Sequence, residues 1–229
     1  MTMWERMPRA WRICTEEAWH AFVQGSIPVG AVVTDGGGQV IARARNRTAE
    51  PGRGPNEVGR HRLAHAELNA LLRVDSRPAQ GETYSLYTAL EPCPLCMGAL
   101  YMSGVTRLYY GARDGHAGST NLLNKTPYLG LKPVTVHGPC LELEALYQTL
   151  HLAYGMGASP GFHRRLVEYL VRLYPNSGRL SRKLLNEGFF VRAIEEGFTA
   201  QELVSAMAER LEPEVLEADH SLSPWELEA

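Results

Sequence analysis

Thr83-Tyr84-Ser85-Leu86-Tyr87-Thr88-Ala89-Leu90-Glu91-Pro92-Cys93-Pro94-Leu95-Cys96 runs from a strand into a helix, and its reading decides the fold. Residues 83–89 are apolar, aromatic and β-branched, the composition of a strand. Pro94 opens a helix reaching Ser103, since a proline is tolerated in the first turn, where its missing N–H has no partner anyway. Upstream, Ala64–Val74 reads as a helix with Leu68, Leu71 and Leu72 on its buried side, and downstream Arg107–Gly111 reads as a strand. Helix alternating with strand predicts crossover units on a sheet covered by helices. A strand at Pro133–His137 and a helix at Leu141–Ala153 complete a three-layer α/β/α unit.

Working outward to the N-terminus, residues 9–24 place Trp11, Cys14, Thr15, Ala18 and Phe22 on one helical stripe, with Gly25 positioned for a left-handed cap. Val29–Thr34 and Gln39–Ala44 then read as an antiparallel pair joined by Asp35-Gly36-Gly37-Gly38, because glycine takes positive φ freely. Residues 47–61 are rich in Gly, Pro, Arg and Asn without periodicity. They read as a long loop ending at His65, either lining or lidding a site there or serving as a plain surface insertion.

Past Gly155 the composition shifts through Gly155-Met156-Gly157-Ala158-Ser159-Pro160-Gly161, a cluster of helix breakers. The chain beyond this cluster reads as helical: Leu166, Leu170 and Val171 on one helix, Leu184, Leu185, Phe189, Val191 and Ile194 on another, and a third opened by the Thr199/Glu202 capping box. Arg164, Arg165, Arg172, Arg179, Arg182 and Lys183 make its start basic, and Glu212, Glu214, Glu217, Asp219, Glu226 and Glu228 make its tail acidic. The organisation read from the sequence is therefore an α/β unit over 1–155 and a helical C-terminal extension over 156–229.

At 229 residues and a formal net charge of −2, the chain can bury a substantial core, and any polyanion must be gripped by a local patch. Four cysteines, two of them in one Cys-x-x-Cys pair, do not resemble a disulfide framework, so a reducing compartment is expected. Neither a leader nor an apolar run of membrane-spanning length is evident, which makes a soluble, cytoplasmic protein the expectation.

His65-Ala66-Glu67 and Cys93-Pro94-Leu95-Cys96 offer one imidazole and two thiolates to a metal, with a carboxylate left over. Three protein ligands and an open position make a catalytic zinc site, whereas a structural site closes with four. Taken alone, the Cys-x-x-Cys pair also fits a redox pair, half of a structural zinc site or two core thiols. Cys14 and Cys140 supply no second pair, and the redox reading leaves His65 and Glu67 unused. His61 is a rival ligand through its His-x-x-x-His spacing with His65. Both metal segments open helices, so two helix N-termini converge where positive partial charge favours thiolate and hydroxide.

These segments match the H-x-E and P-C-x-x-C signature of the cytidine deaminase superfamily. Ile27-Pro28-Val29-Gly30-Ala31-Val32-Val33, Asn46-Arg47, Leu90–Ala99, Tyr110-Gly111-Ala112-Arg113-Asp114 and Gly118-Ser119 resemble its branch of tRNA-specific adenosine deaminases and guanine deaminases, over roughly residues 8–155. The resemblance implies zinc (Zn2+) held by His65, Cys93 and Cys96, water acidified near neutral pH, and Glu67 as proton shuttle. It also implies Asn46 and the Ala66 N–H against the base, Ile27 in an apolar wall, and a homodimer. The implied substrate is a nucleobase, either adenosine in a tRNA anticodon loop or a free nucleoside or nucleobase, with single-stranded DNA a further option. An inactive scaffold carrying a partner-binding module is the non-enzymatic reading. The chain departs from the tRNA-enzyme pattern in its longer Asn46–His65 loop and in its helical continuation, and both bear on the entrance to the pocket.

Overall fold

The computed structural model describes residues 1–75, 83–157 and 164–211. A five-stranded sheet lies at the centre, ordered β2-β1-β3-β4-β5, with β1 Gly30–Thr34, β2 Val40–Arg45, β3 Tyr84–Leu90, β4 Val105–Ala112 and β5 Thr135–His137. The β1–β2 and β1–β3 pairs are antiparallel, while β3–β4 and β4–β5 are parallel, so the expected hairpin and the crossovers coexist in one mixed sheet. The helices before the extension are α1 Met3–Arg6, α2 Arg9–Val23, α3 Ala66–Leu71, α4 Pro94–Met102 and α5 Leu141–Gly157. Four more belong to the extension: α6 Arg164–Leu173, α7 Pro175–Asn186, α8 Phe189–Glu195 and α9 Ala200–Ala208. Among the described residues, no helix is long and apolar enough to cross a membrane.

Two layers of helix sandwich the sheet. On one face α2 sits so close to β1 that a Cβ on Gly30 would lie 2.0 Å from the Cys14 carbonyl oxygen, a contact that only glycine allows. Trp11 of α2 meets Tyr87 edge-on at 5.4 Å, and Tyr87, Tyr109 and His137 stack across three neighbouring strands at 4.5 and 4.6 Å. On the same face α5 lays the Tyr147 ring over Gly111, and the Tyr147 and Thr15 hydroxyls share a hydrogen bond of 2.7 Å. The opposite face carries α3 against β1 and β2, with α4 beside it.

Helix α3 is shorter than the expected 64–74. Its buried side is Ala66, Glu67, Asn69, Ala70 and Leu71, whereas Leu72 is exposed and Leu68 only half-buried. Small residues let this short helix lie flat on the sheet. Gly25 has the expected positive φ, 72°.

The extension shares the main core. Leu180, Leu184, Phe189, Phe190, Leu203, Val204 and Met207 join one apolar cluster with α2, α5 and the strands. Trp19 Nε1 donates to the Phe198 carbonyl at 2.7 Å, and Phe22 packs on Phe190 at 5.0 Å. Against α5, Ser177 Oγ donates to Gln148 at 3.2 Å and Ser181 Oγ to the Thr149 carbonyl at 2.9 Å. The second helix expected in the extension is in fact α7 and α8, broken at Gly188 with φ 65°, which leaves Val191 and Ile194 exposed. The Thr199/Glu202 box caps α9 as expected, and the acidic tail from Glu212 lies outside the described residues.

Residues 47–61 are pinned by buried ion pairs. Arg45 grips Glu50 through two bonds of 2.7 and 2.9 Å, Arg47 reaches Glu50 at 2.6 Å and Glu57 at 2.8 Å, and Arg73 also pairs with Glu57. Asn69 of α3 closes the loop by exchanging two hydrogen bonds with Val58, at 2.7 and 3.0 Å. Charges this deep carry a desolvation cost of several kcal/mol each, which such multiple pairing offsets.

Candidate functional site

His65 is the N-cap of α3 and Cys93 the N-cap of α4, with Pro94 in the first turn of α4, so the two helix starts meet as expected. The His65 Nδ1 lies 3.5 Å from Cys93 Sγ and 3.4 Å from Cys96 Sγ, and the two sulfurs are 3.7 Å apart. Tetrahedral bonds of about 2.3 Å to sulfur and about 2.05 Å to nitrogen would set donor–donor edges of about 3.8 and 3.6 Å. The three donors therefore sit at the spacing of a tetrahedral zinc site. His61, the rival ligand, is exposed and accepts from the Leu63 N–H instead.

The electrostatics agree with that donor set. Hydrogen bonding from Cys96, aided by His65, lowers the Cys93 thiol to about 4 despite its burial. The Cys96 thiol is pushed up by its bond to Cys93 and by burial. One negative charge is thus stable on the protein alone, and a second thiolate needs a cation beside it, which a zinc ion supplies. Cys14 is fully buried and donates to the Gly30 carbonyl at 3.1 Å. Neither Cys14 nor Cys140 belongs to the metal group.

A cavity of about 180 Å³ opens onto His65 and Cys93. Glu67 lines it from the first turn of α3 and is 5% exposed, and burial pushes its carboxyl above the ordinary carboxylate range, partly offset by His65. Ile27 and Val29 form an apolar wall beside Asn46. The Asn46 Oδ1 accepts from the Thr48 backbone and hydroxyl at 3.0 and 2.8 Å, which leaves its NH2 as the group available for a ligand. Ala66 is buried but does not itself line the cavity, although both its neighbours do.

The lining differs from expectation in two ways. None of residues 47–61 contributes to it, so the loop neither lines nor roofs the cavity; Arg47, Glu50 and Glu57 are spent on one another. Leu166 and Leu170 of α6 line it instead, together with His151 of α5 and Asp114 and His116 of the turn after β4. Asp114 closes the Tyr110–Asp114 motif, and Leu166 and Leu170 are visible in the sequence as a stripe. Nothing in the sequence distinguishes a stripe facing a cavity from one facing the core.

The basic residues at the start of the extension, Arg164, Arg165, Arg172, Arg179, Arg182 and Lys183, are exposed, and none lines the cavity.

A profile of the cytidine and deoxycytidylate deaminase zinc-binding region matches residues 5–112. A tRNA-specific adenosine deaminase of Rickettsia bellii is 34% identical over 47% of this chain and 71% of its own length. One from Bacillus subtilis is 36% identical over 47% of this chain, which spans 63% of that relative's length. Among solved structures, a protein in complex with 2,6-diaminopurine superposes with a TM-score of 0.51 at 26% identity, covering 70% of this chain and 89% of its own.

Proposed function

Because the chain belongs to the cytidine and deoxycytidylate deaminase zinc-binding family, we propose that it is a hydrolytic deaminase, exchanging the exocyclic amine of a nucleobase for oxygen and releasing ammonia. The observation that carries this reading is Glu67, a buried carboxyl with a raised pKa in the same cavity wall as His65 and Cys93. A carboxyl in the wall of the cavity, beside the residues that would hold the metal, is placed to take a proton from water and to give it to a bound base.

Zinc, when bound by His65, Cys93 and Cys96, supplies Lewis acidity that makes water a competent nucleophile near neutral pH. The chain's own residues do the rest. Glu67 takes a proton from the attacking water and delivers it to the ring nitrogen beside the amine-bearing carbon. It then helps protonate the amine as the C–N bond breaks, so that one water is consumed and one ammonia leaves. Asn46 donates to a ring or carbonyl acceptor of the base, and Ile27 packs on its face.

The relatives named tRNA-specific adenosine deaminases support adenosine in tRNA as the substrate, giving inosine. A free nucleobase or nucleoside is the second reading, favoured by the absence of the six basic residues from the cavity lining. Residues 1–155 form the deaminase unit in this proposal and 156–229 its extension. Leu95 and Met102 are exposed on α4 with open space over Gly98 between them, which supports a homodimer. Metal-binding thiols with no disulfide partner suit a reducing, cytoplasmic setting. Ammonia release from a panel of bases, nucleosides and an adenosine-bearing anticodon hairpin tests the activity, and no release from zinc-loaded protein on any of them would refute it.

A further inference from the structure

We infer that the ion-paired loop over residues 47–61 is a positioning device for the metal site, in which Arg47 holds the backbone that aims the His65 imidazole and so sets how tightly zinc is retained. The inference concerns the metal and is independent of which base is deaminated.

The His65 ring is held at two points. Its Nδ1 faces the sulfurs of Cys93 and Cys96, and the ring also bonds to the backbone of Arg62. That bond favours the protonated ring, which identifies the partner as the Arg62 carbonyl, an acceptor. A histidine that meets a metal through one nitrogen is aimed by whatever its other N–H donates to.

A carbonyl can aim a ring only if its own segment is fixed, and Arg47 spans both ends of this one. The Arg60 N–H donates to the Arg47 carbonyl at 3.0 Å and to the Glu50 carbonyl at 2.8 Å, while the Arg47 N–H donates to the Ala64 carbonyl at 2.9 Å. Arg60 needs the hold, because its φ of 48° is a left-handed conformation that a side chain disfavours. On the far side of His65 the loop grips again: the Asn69 N–H donates to the His65 carbonyl at 3.0 Å, and the Asn69 side chain exchanges its two hydrogen bonds with Val58.

The Arg47 side chain is itself pinned. At 4% side-chain exposure it pairs with Glu50 at 2.6 Å and with Glu57 at 2.8 Å, and its Nη1 also donates to the Pro51 carbonyl at 3.3 Å. Arg45 holds Glu50 in turn, and Arg73 holds Glu57. Buried ion pairs add little over apolar side chains of the same volume, so stability alone does not account for this many charges. What they supply is direction, since a guanidinium shared by two carboxylates has one place to sit. The loop therefore acts on the site from behind the ligand.

The test measures zinc affinity of the full chain by competition with a chromophoric chelator, and follows the His65 ring N–H by NMR in the zinc-loaded protein. Glu57→Ala and Arg47→Gln should weaken zinc binding by about 10–100-fold, the range for losing the support of a metal-binding histidine, and should shift the ring N–H signal. Glu57→Gln keeps an oxygen acceptor for Arg47 and should recover most of the affinity lost in Glu57→Ala. Val204→Ala, in the buried part of α9, should lower the melting temperature and leave zinc affinity unchanged. Each variant is measured at a temperature where circular dichroism shows it folded, and should Arg47→Gln not fold, the two Glu57 variants carry the comparison. Unchanged zinc affinity in Glu57→Ala would overturn the inference. An equal loss in Val204→Ala would overturn it too, by showing that any drop in stability loosens the metal. Both readouts are taken on the metal site, so a chain that released no ammonia would lose the deaminase reading and keep this one.

Discussion

The hydroxyl of Tyr174 accepts a hydrogen bond from the Gly115 backbone at 2.9 Å, tying the helix that carries Leu170 to the turn that carries Asp114 and His116. Tyr174→Phe removes that bond and the weaker one to the Arg113 carbonyl while keeping the ring in its apolar cluster. It should cost about 1–2 kcal/mol of stability, the worth of one or two buried hydrogen bonds. The effect on function should fall on KM more than on kcat, because the ring holds a wall and touches no reacting atom. Steady-state kinetics beside urea melts would show this, and an unchanged KM would count against the tie.

Glu67→Gln keeps the size of the side chain and removes its ability to carry protons. Zinc content should stay at that of the unaltered protein while turnover drops by about 10²–10⁴-fold, the contribution of a placed acid–base group. Metal analysis with single-turnover assays separates the two effects. Loss of zinc in this variant would mean that Glu67 supports the metal and not the chemistry.

Removing the metal should cost stability as well as activity. Cys93→Ala deletes one of three donors, and a strong chelator empties the site without mutation. Both should lower the melting temperature, since an ion bound only by the folded chain stabilises it by mass action. Restored zinc should rescue the chelated protein and not Cys93→Ala. A melting temperature indifferent to chelation would contradict the coupling.

Glu57 is the hinge of the loop network, pairing with Arg47 and Arg73 at 3% side-chain exposure. Glu57→Ala leaves the Arg47 guanidinium buried beside one carboxylate in place of two, and breaking such a pair costs about 3–5 kcal/mol. Limited proteolysis should then cut within residues 47–61 before any other site. An unaltered cleavage pattern would show that Asn69 and Val58 hold the loop alone.

Acid should destabilise the fold in two stages. Burial lowers the His151 pKa, partly offset by Asp114, so the unfolded chain binds that proton more readily and stability declines as the pH falls below the ordinary histidine range. Glu50 is raised by burial, but Arg45 and then Arg47 outweigh this and hold it low. Its contribution is complete above the ordinary carboxylate range and is lost as the pH falls through its folded value. Melts across this span should show both declines, and His151→Gln should abolish the first. A first decline that persists in His151→Gln would assign it to another group.

What the sequence made legible was local and chemical. The Cys93-x-x-Cys96 pair, His65 and the two helix starts needed only short spacing rules, and they came together with donor distances suited to zinc. The Thr199/Glu202 cap and the hairpin from Gly30 to Arg45 were equally local. The contribution of α6 to the cavity lining was not, because the 3.6-residue stripe of Leu166 and Leu170 says only that a face is covered. Residues 47–61 read only as an aperiodic loop, because no helical or strand period announces the Arg47–Glu57 and Arg73–Glu57 pairs, which the fold brings together from 10 and 16 residues apart. Leu72 failed for a different reason: α3 ends at Leu71, so the helical period stopped before reaching it.

Trp19 of α2 donates to the Phe198 carbonyl, in the turn between α8 and α9, and Phe22 lies against Phe190. A surface helix near one end of the chain is thereby keyed to a segment almost 180 residues later. Among the described residues, α8 and the turn after it are therefore packed as part of the same core as α2. A replacement of α8 and the turn after it would have to bring a matching indole and phenyl on α2.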